Sequence, residues 1–262
     1  MNFRIATSVL KTNSSIGSSR ILSSISGANS LTPLVSTSFA KNKLSFNYQS
    51  RMNLLTISNS IKESYIKHGI IPDVIADKNF DPKGLLIISY GKDKEVTLGN
   101  TLAVDETQSL PKIAFTLNVS DKNGFEVDTN DAFTLVLTDP DAPSRTEKKW
   151  SDFCHYVVSD LKLNPISTSE VGDNVKNLTT DLEFDKGTTL IPYKGPGPPP
   201  GTGKHRYVFL FYKQKKGVSP KPPSDRPNWG TGIPAFPAEK WALKYDLELL
   251  SANFFLAQNK EQ

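Results

Sequence analysis

The sequence predicts an antiparallel β sandwich or barrel with a few peripheral helices. Three observations lead there. Apolar runs of strand length recur between residues 85 and 257, separated by clusters of Gly, Pro, Asn and Asp. These runs do not alternate with helix-length amphipathic segments, which argues against a parallel α/β sheet. The chain has 262 residues, of which 37% are hydrophobic and 22% charged. That is enough for a sizeable core, and it excludes wholesale disorder.

Residues 1–51 stand apart from this pattern. They carry Arg4, Lys11, Arg20, Lys41, Lys43 and Arg51 and no acid, and they are rich in Ser and Thr. On a helical wheel Arg4 and Lys11 share one side, opposite Ile5, Ala6, Val9 and Leu10, which is the composition of a mitochondrial presequence. The other reading is a disordered basic leader. A form starting at Met52 would lack the leader and be cytoplasmic or vacuolar, and the folded domain is expected over residues 52–262. The whole chain has a net charge of +4, but the part after residue 51 carries −2. That part has no general attraction for nucleic acid. No run approaches the roughly 18 apolar residues of a transmembrane segment. Cys154 is the single cysteine, so neither an intrachain disulfide nor a multi-cysteine zinc site is available.

Within the domain, Ile57, Ile61 and Tyr65 recur at helical spacing, which predicts a helix over 55–68 that stops at Gly69. His68 is expected to cap its C-terminus. Strands follow at 85–90, 96–102, 113–119, 133–138, 154–159, 189–193, 205–212 and 247–257. Pro237 opens a short helix through Tyr245. Residues 213–232 read as a long loop, partly extended by its prolines.

Two stretches could carry chemistry. In Leu137-Thr-Asp-Pro-Asp-Ala-Pro-Ser-Arg145 an apolar strand runs into two carboxylates, and Pro140 and Pro143 stiffen the turn around them. Gly195-Pro-Gly-Pro-Pro-Pro-Gly-Thr-Gly-Lys-His205-Arg-Tyr207 leaves backbone N–H groups accessible at its glycines. Strand alternation then turns His205, Tyr207, Phe209 and Phe211 to one face. By the same alternation Phe153 and His155 share a face and Cys154 takes the other, which spoils a Cys–His pair. Short metal-ligand spacings are absent, and no serine sits in a nucleophile elbow. Imidazole and backbone N–H would meet an anion while carboxylates meet a cation, so the lining suits a phosphate-bearing zwitterion or a small anion. If both imidazoles touch that anion, its affinity falls as pH rises through their titration.

Thr138-Asp-Pro-Asp-Ala-Pro-Ser-Arg145, His155 and Gly195–Tyr207 together resemble the two signature regions of the phosphatidylethanolamine-binding protein family, over roughly residues 54–258. Ser64-Tyr-Ile-Lys-His-Gly-Ile70, Lys149-Trp-Ser-Asp-Phe-Cys-His155, Asp225-Arg-Pro-Asn-Trp-Gly230 and Ala252-Asn-Phe-Phe255 resemble its fungal branch. The resemblance implies two antiparallel sheets with peripheral helices and a small pocket for phospholipid head groups or small anions. By motif position the pocket takes Asp139, Asp141, Trp150, His155, Gly197, Pro198, His205 and Tyr207. The resemblance also implies a non-enzymatic binding or regulatory protein, and no cofactor or resident metal is expected. Its expected partner is a serine carboxypeptidase, with a Ras-pathway protein as a further one. The alternatives are a mitochondrial assembly or signalling partner, and a hydrolase using the Asp/His cluster.

Overall fold

The computed structural model describes residues 59–117, 127–163 and 179–262. The leader, its presequence reading and Met52 lie outside the described residues, as does the expected strand end at 118–119. Helix α1 spans 59–67. It buries Ile61 and Tyr65, and it ends at Gly69, whose φ of 67° suits a residue without a Cβ. A short helical turn, α2 (Ile70–Asp73), follows.

Among the described residues nine strands then form two sheets. β2 (Lys94–Glu95), β1 (Gly84–Tyr90), β3 (Lys112–Leu117) and β6 (Thr179–Asp181) make one, in that order. The other runs β7 (Thr188–Ile191), β5 (Phe153–Leu161), β4 (Phe133–Asp139), β8 (His205–Lys213) and β9 (Glu248–Ala257). Every described strand pairing is antiparallel. Helix α3 (Pro237–Lys244) opens on a proline at its first turn, as expected.

The five-stranded sheet is covered on both faces. One face packs against the four-stranded sheet through Leu135, Leu137, Tyr207, Phe209 and Phe211, facing Leu86, Ile88 and Phe115. The other packs under α1, α2, α3 and the 214–236 segment through Val136, Cys154, Val208 and Leu210, against Tyr65, Trp229 and Trp241. That is why β4 and β8 read as nearly continuous apolar runs rather than as polar–apolar alternation.

Two expectations need correction. Residues 96–102 are not a strand. Leu98 at φ 51° and Gly99 at φ 114° break the ladder after Glu95. The chain then crosses to the other sheet, where the Gly99 and Leu102 N–H groups donate to the Phe254 and Leu256 carbonyls of β9. A Cβ on Gly99 would stand 2.8 Å from the His68 ring and 2.9 Å from Phe254, so the crossing requires glycine. Nor does the His68 ring cap α1. It packs on Phe254 at 5.2 Å, and the Arg206 guanidinium donates to the His68 and Gly69 carbonyls instead.

Candidate functional site

Strand register builds the site. β5, β4 and β8 are neighbours, and antiparallel pairing brings the end of β4 level with the starts of the other two. Asp139 pairs with Phe153, and Thr138 with Val208. Asp139, Phe153, His155, His205 and Tyr207 therefore converge at one sheet end. The loop after β7 closes over them and leaves a cavity of about 180 Å³. That is slightly larger than a cavity that holds benzene, about 150 Å³, and is of a size for a small head group.

Of the residues named from the sequence, the structure brings Asp139, Trp150, His155, Gly197, His205 and Tyr207 together in the cavity lining. Asp141 and Pro198 do not line it, and Pro199 stands in the wall where Pro198 was expected. The Pro198 carbonyl instead accepts from Asn259 Nδ2 at 3.0 Å. Asp141 is fully buried and faces away, joined to Arg206 by three bonds. Arg206 N and Nε donate to Oδ2, both at 2.9 Å, and Nη2 donates to Oδ1 at 2.7 Å. Burial opposes ionisation of Asp141, but the Arg206 bonds and charge win and hold it below the usual carboxylate range. Alternation explains the split, because Arg206 lies between His205 and Tyr207 and points to the opposite face.

Inside the cavity the polar groups are largely committed to one another. Asp139 Oδ1 accepts from the Asp141 N–H at 2.7 Å, and Oδ2 accepts from His205 Nδ1 at 2.8 Å. His205 Nε2 lies 3.0 Å from Thr202 Oγ1. Both nitrogens of His205 thus have partners within the protein, whereas His155 has one only at Nδ1 among the described residues. His155 is held by a reciprocal pair. The Lys194 N–H donates to the His155 carbonyl at 2.9 Å, and His155 Nδ1 lies 2.7 Å from the Lys194 carbonyl. Arg226 reinforces the same corner, donating to the Cys154, His155 and Pro192 carbonyls. Burial lowers the His155 pKa, with Asp139 and the Lys194 backbone hydrogen bond pulling the other way and the Arg226 and Lys194 charges adding to the decrease. Tyr207 Oη accepts from the Gly197 N–H at 3.3 Å. Burial and the Asp139 charge push Tyr207 up, so its proton stays available to a ligand.

The rim is apolar and basic. Trp150 is 43% exposed, with Lys149 Nζ 5.1 Å from its ring centre, and Lys194 Nζ lies 5.7 Å from that of Phe153. Ala142, Pro143 and Lys194 were not foreseen in the lining. Nothing in the local pattern singles out Lys194, whereas Phe153 was legible from its shared face with His155. Asp152 was also overlooked. It is 2% exposed, and its Oδ2 has no hydrogen-bond partner. Ser151 Oγ lies 3.1 Å from Oδ1, and the Ala238 N–H at the start of α3 supports the carboxylate. Burial still prevails, and the Asp152 pKa is pushed up to about 7. Among the described residues no group of three or more His, Cys, Asp or Glu is placed to hold a metal ion. No described helix is long and apolar enough to cross a membrane.

The molecule is a two-sheet sandwich with a small cup of imidazole, phenol and carboxylate groups at its strand ends. The chain belongs to the phosphatidylethanolamine-binding protein family, whose sequence profile matches residues 92–255. It is 46% identical to the carboxypeptidase Y inhibitor of Saccharomyces cerevisiae over 207 residues, which cover 76% of this chain and 94% of that protein. The crystal structure of carboxypeptidase Y inhibitor complexed with the cognate proteinase matches with a TM-score of 0.69 at 45% identity, over 78% of this chain and 97% of that one. A phosphatidylethanolamine-binding protein from Plasmodium vivax matches with a TM-score of 0.57 at 26% identity, over 76% of this chain and 97% of that one.

Proposed function

We propose that this chain is a non-enzymatic inhibitor of a serine carboxypeptidase of the carboxypeptidase Y type, with a cavity that takes phosphate-bearing head groups or small anions. The observation that carries the inhibitory reading is 46% identity along nearly the whole length of a carboxypeptidase Y inhibitor. The cavity supports the ligand reading. It offers the Tyr207 hydroxyl and the His155 ring beneath a rim bearing Lys149 and Lys194, and its own carboxylate is already paired with His205.

The test is a titration of the full chain, and of a form beginning at Met52, into carboxypeptidase Y with a chromogenic peptide substrate. Stoichiometric loss of hydrolysis by at least one form is expected. Unchanged hydrolysis at large molar excess of both would overturn the inhibitory reading.

A further inference from the structure

Inside the cavity the His155 ring can offer a ligand an acceptor beside the Tyr207 hydroxyl and the Lys194 ammonium at the rim, and that acceptor has a chemical consequence. The Lys194 carbonyl can only accept, so the 2.7 Å contact places the proton of neutral His155 on Nδ1. Nε2 then carries a lone pair and has no hydrogen-bond partner among the described residues. The remaining groups around the cavity do not supply its missing proton. His205 is committed to Asp139 and Thr202, and the Asp139 oxygens accept from His205 and from the Asp141 N–H. The Tyr207 ring meets His155 edge-on at 5.2 Å. The charged groups facing His155 are Asp139 on β4, Lys194 on the loop after β7 and Arg226 on the 214–236 segment.

We infer that the cavity selects oxyanions bearing their own proton, namely phosphate monoesters as monoanions, over phosphate diesters. This rests on the reading of the cavity as a phosphate site. A monoester monoanion accepts from the Tyr207 hydroxyl through one oxygen and donates P–OH to His155 Nε2 through another. A diester has no such proton, so it leaves Nε2 facing an oxygen lone pair unless His155 takes up a proton from solvent. Burial makes that uptake costly. The second ionisation of a phosphate monoester lies near pH 6, so the competent form is abundant in mildly acidic solution.

Methyl phosphate and dimethyl phosphate test this by calorimetric titration of the full chain at pH 5.5, repeated in buffers of different ionisation enthalpy. Methyl phosphate is expected to bind at least about tenfold more tightly, the worth of one satisfied buried hydrogen bond. It is expected to bind with little net proton exchange, whereas any dimethyl phosphate binding takes up close to one proton. In His155→Gln, whose amide can offer either a donor or an acceptor, the preference should fall towards unity. Equal affinities for the two esters in the parent protein, or a tighter diester, would overturn the selectivity and leave the phosphate-site reading standing. Binding of neither ester would overturn both.

Discussion

Asp152→Asn isolates the cost of a buried carboxyl group. In the folded chain the pKa of Asp152 is pushed from 3.8 up to about 7 by burial. The folded state therefore keeps a proton that the unfolded chain releases, and between these two values stability falls as pH rises, levelling off above pH 7. Three pH units at about 1.4 kcal/mol each make the full penalty about 4 kcal/mol, of which about 3 kcal/mol develops between pH 4.5 and pH 8. Local bonding points the same way. The single Ser151 proton faces two acceptors, the Pro140 carbonyl at 2.8 Å and Asp152 Oδ1 at 3.1 Å, so a protonated Asp152 can return the second bond. The amide carries a constant penalty for an unpaired N–H, but it does not titrate. Urea unfolding of parent and variant at both pH values removes that constant. The variant should gain about 3 kcal/mol on the parent between pH 4.5 and pH 8. A stability difference that does not change with pH would refute the reasoning.

Asp141→Asn leaves the buried Arg206 with only the part-exposed Asp73 as a carboxylate partner, and it should cost about 3 kcal/mol, the low end for a broken buried pair, in urea unfolding at pH 7. Because the Asp141 pKa is depressed, its contribution in the parent is present above the unfolded value and lost as pH falls through the folded one, so the two proteins should converge in acid. Cys154 is fully buried and its thiol is pushed up to about 12, so an aromatic disulfide reagent should not label the native protein and should label it stoichiometrically in denaturant. Tyr207→Phe should weaken methyl phosphate binding about fivefold to tenfold, near 1 kcal/mol for one neutral hydrogen bond, as read by calorimetry.

Much of the five-stranded sheet was legible because its strands are long and buried, and their apolar runs end at Pro and Gly signals. The edges of the other sheet were not. β6 is three residues, Thr179–Asp181, too short and polar to show a period. The 96–102 segment has strand composition, yet Leu98 and Gly99 take left-handed backbone angles that belong to its crossing between sheets. In the site, alternation correctly turned His155 and Phe153 together and Cys154 away. It could not tell Asp139 from Asp141, because that difference is made by Arg206, distant in sequence and set on the opposite side of β8. Asp152 stayed hidden for a similar reason. Its burial comes from Ser151 and from the start of α3, about 85 residues further along the chain, and no local pattern reports it.

β8 serves two masters. Its odd-numbered residues furnish the cup and its even-numbered ones clasp the helical cap, with Arg206 gripping Asp141 and the end of α1. Deleting one residue near its start would exchange the two sets, driving a guanidinium into the ligand chamber and an imidazole among the apolar side chains beneath the helices. Chain length there is consequently frozen even where single side chains can vary, and natural variants should differ in the span of the glycine- and proline-rich approach before they differ in the count of residues along the strand.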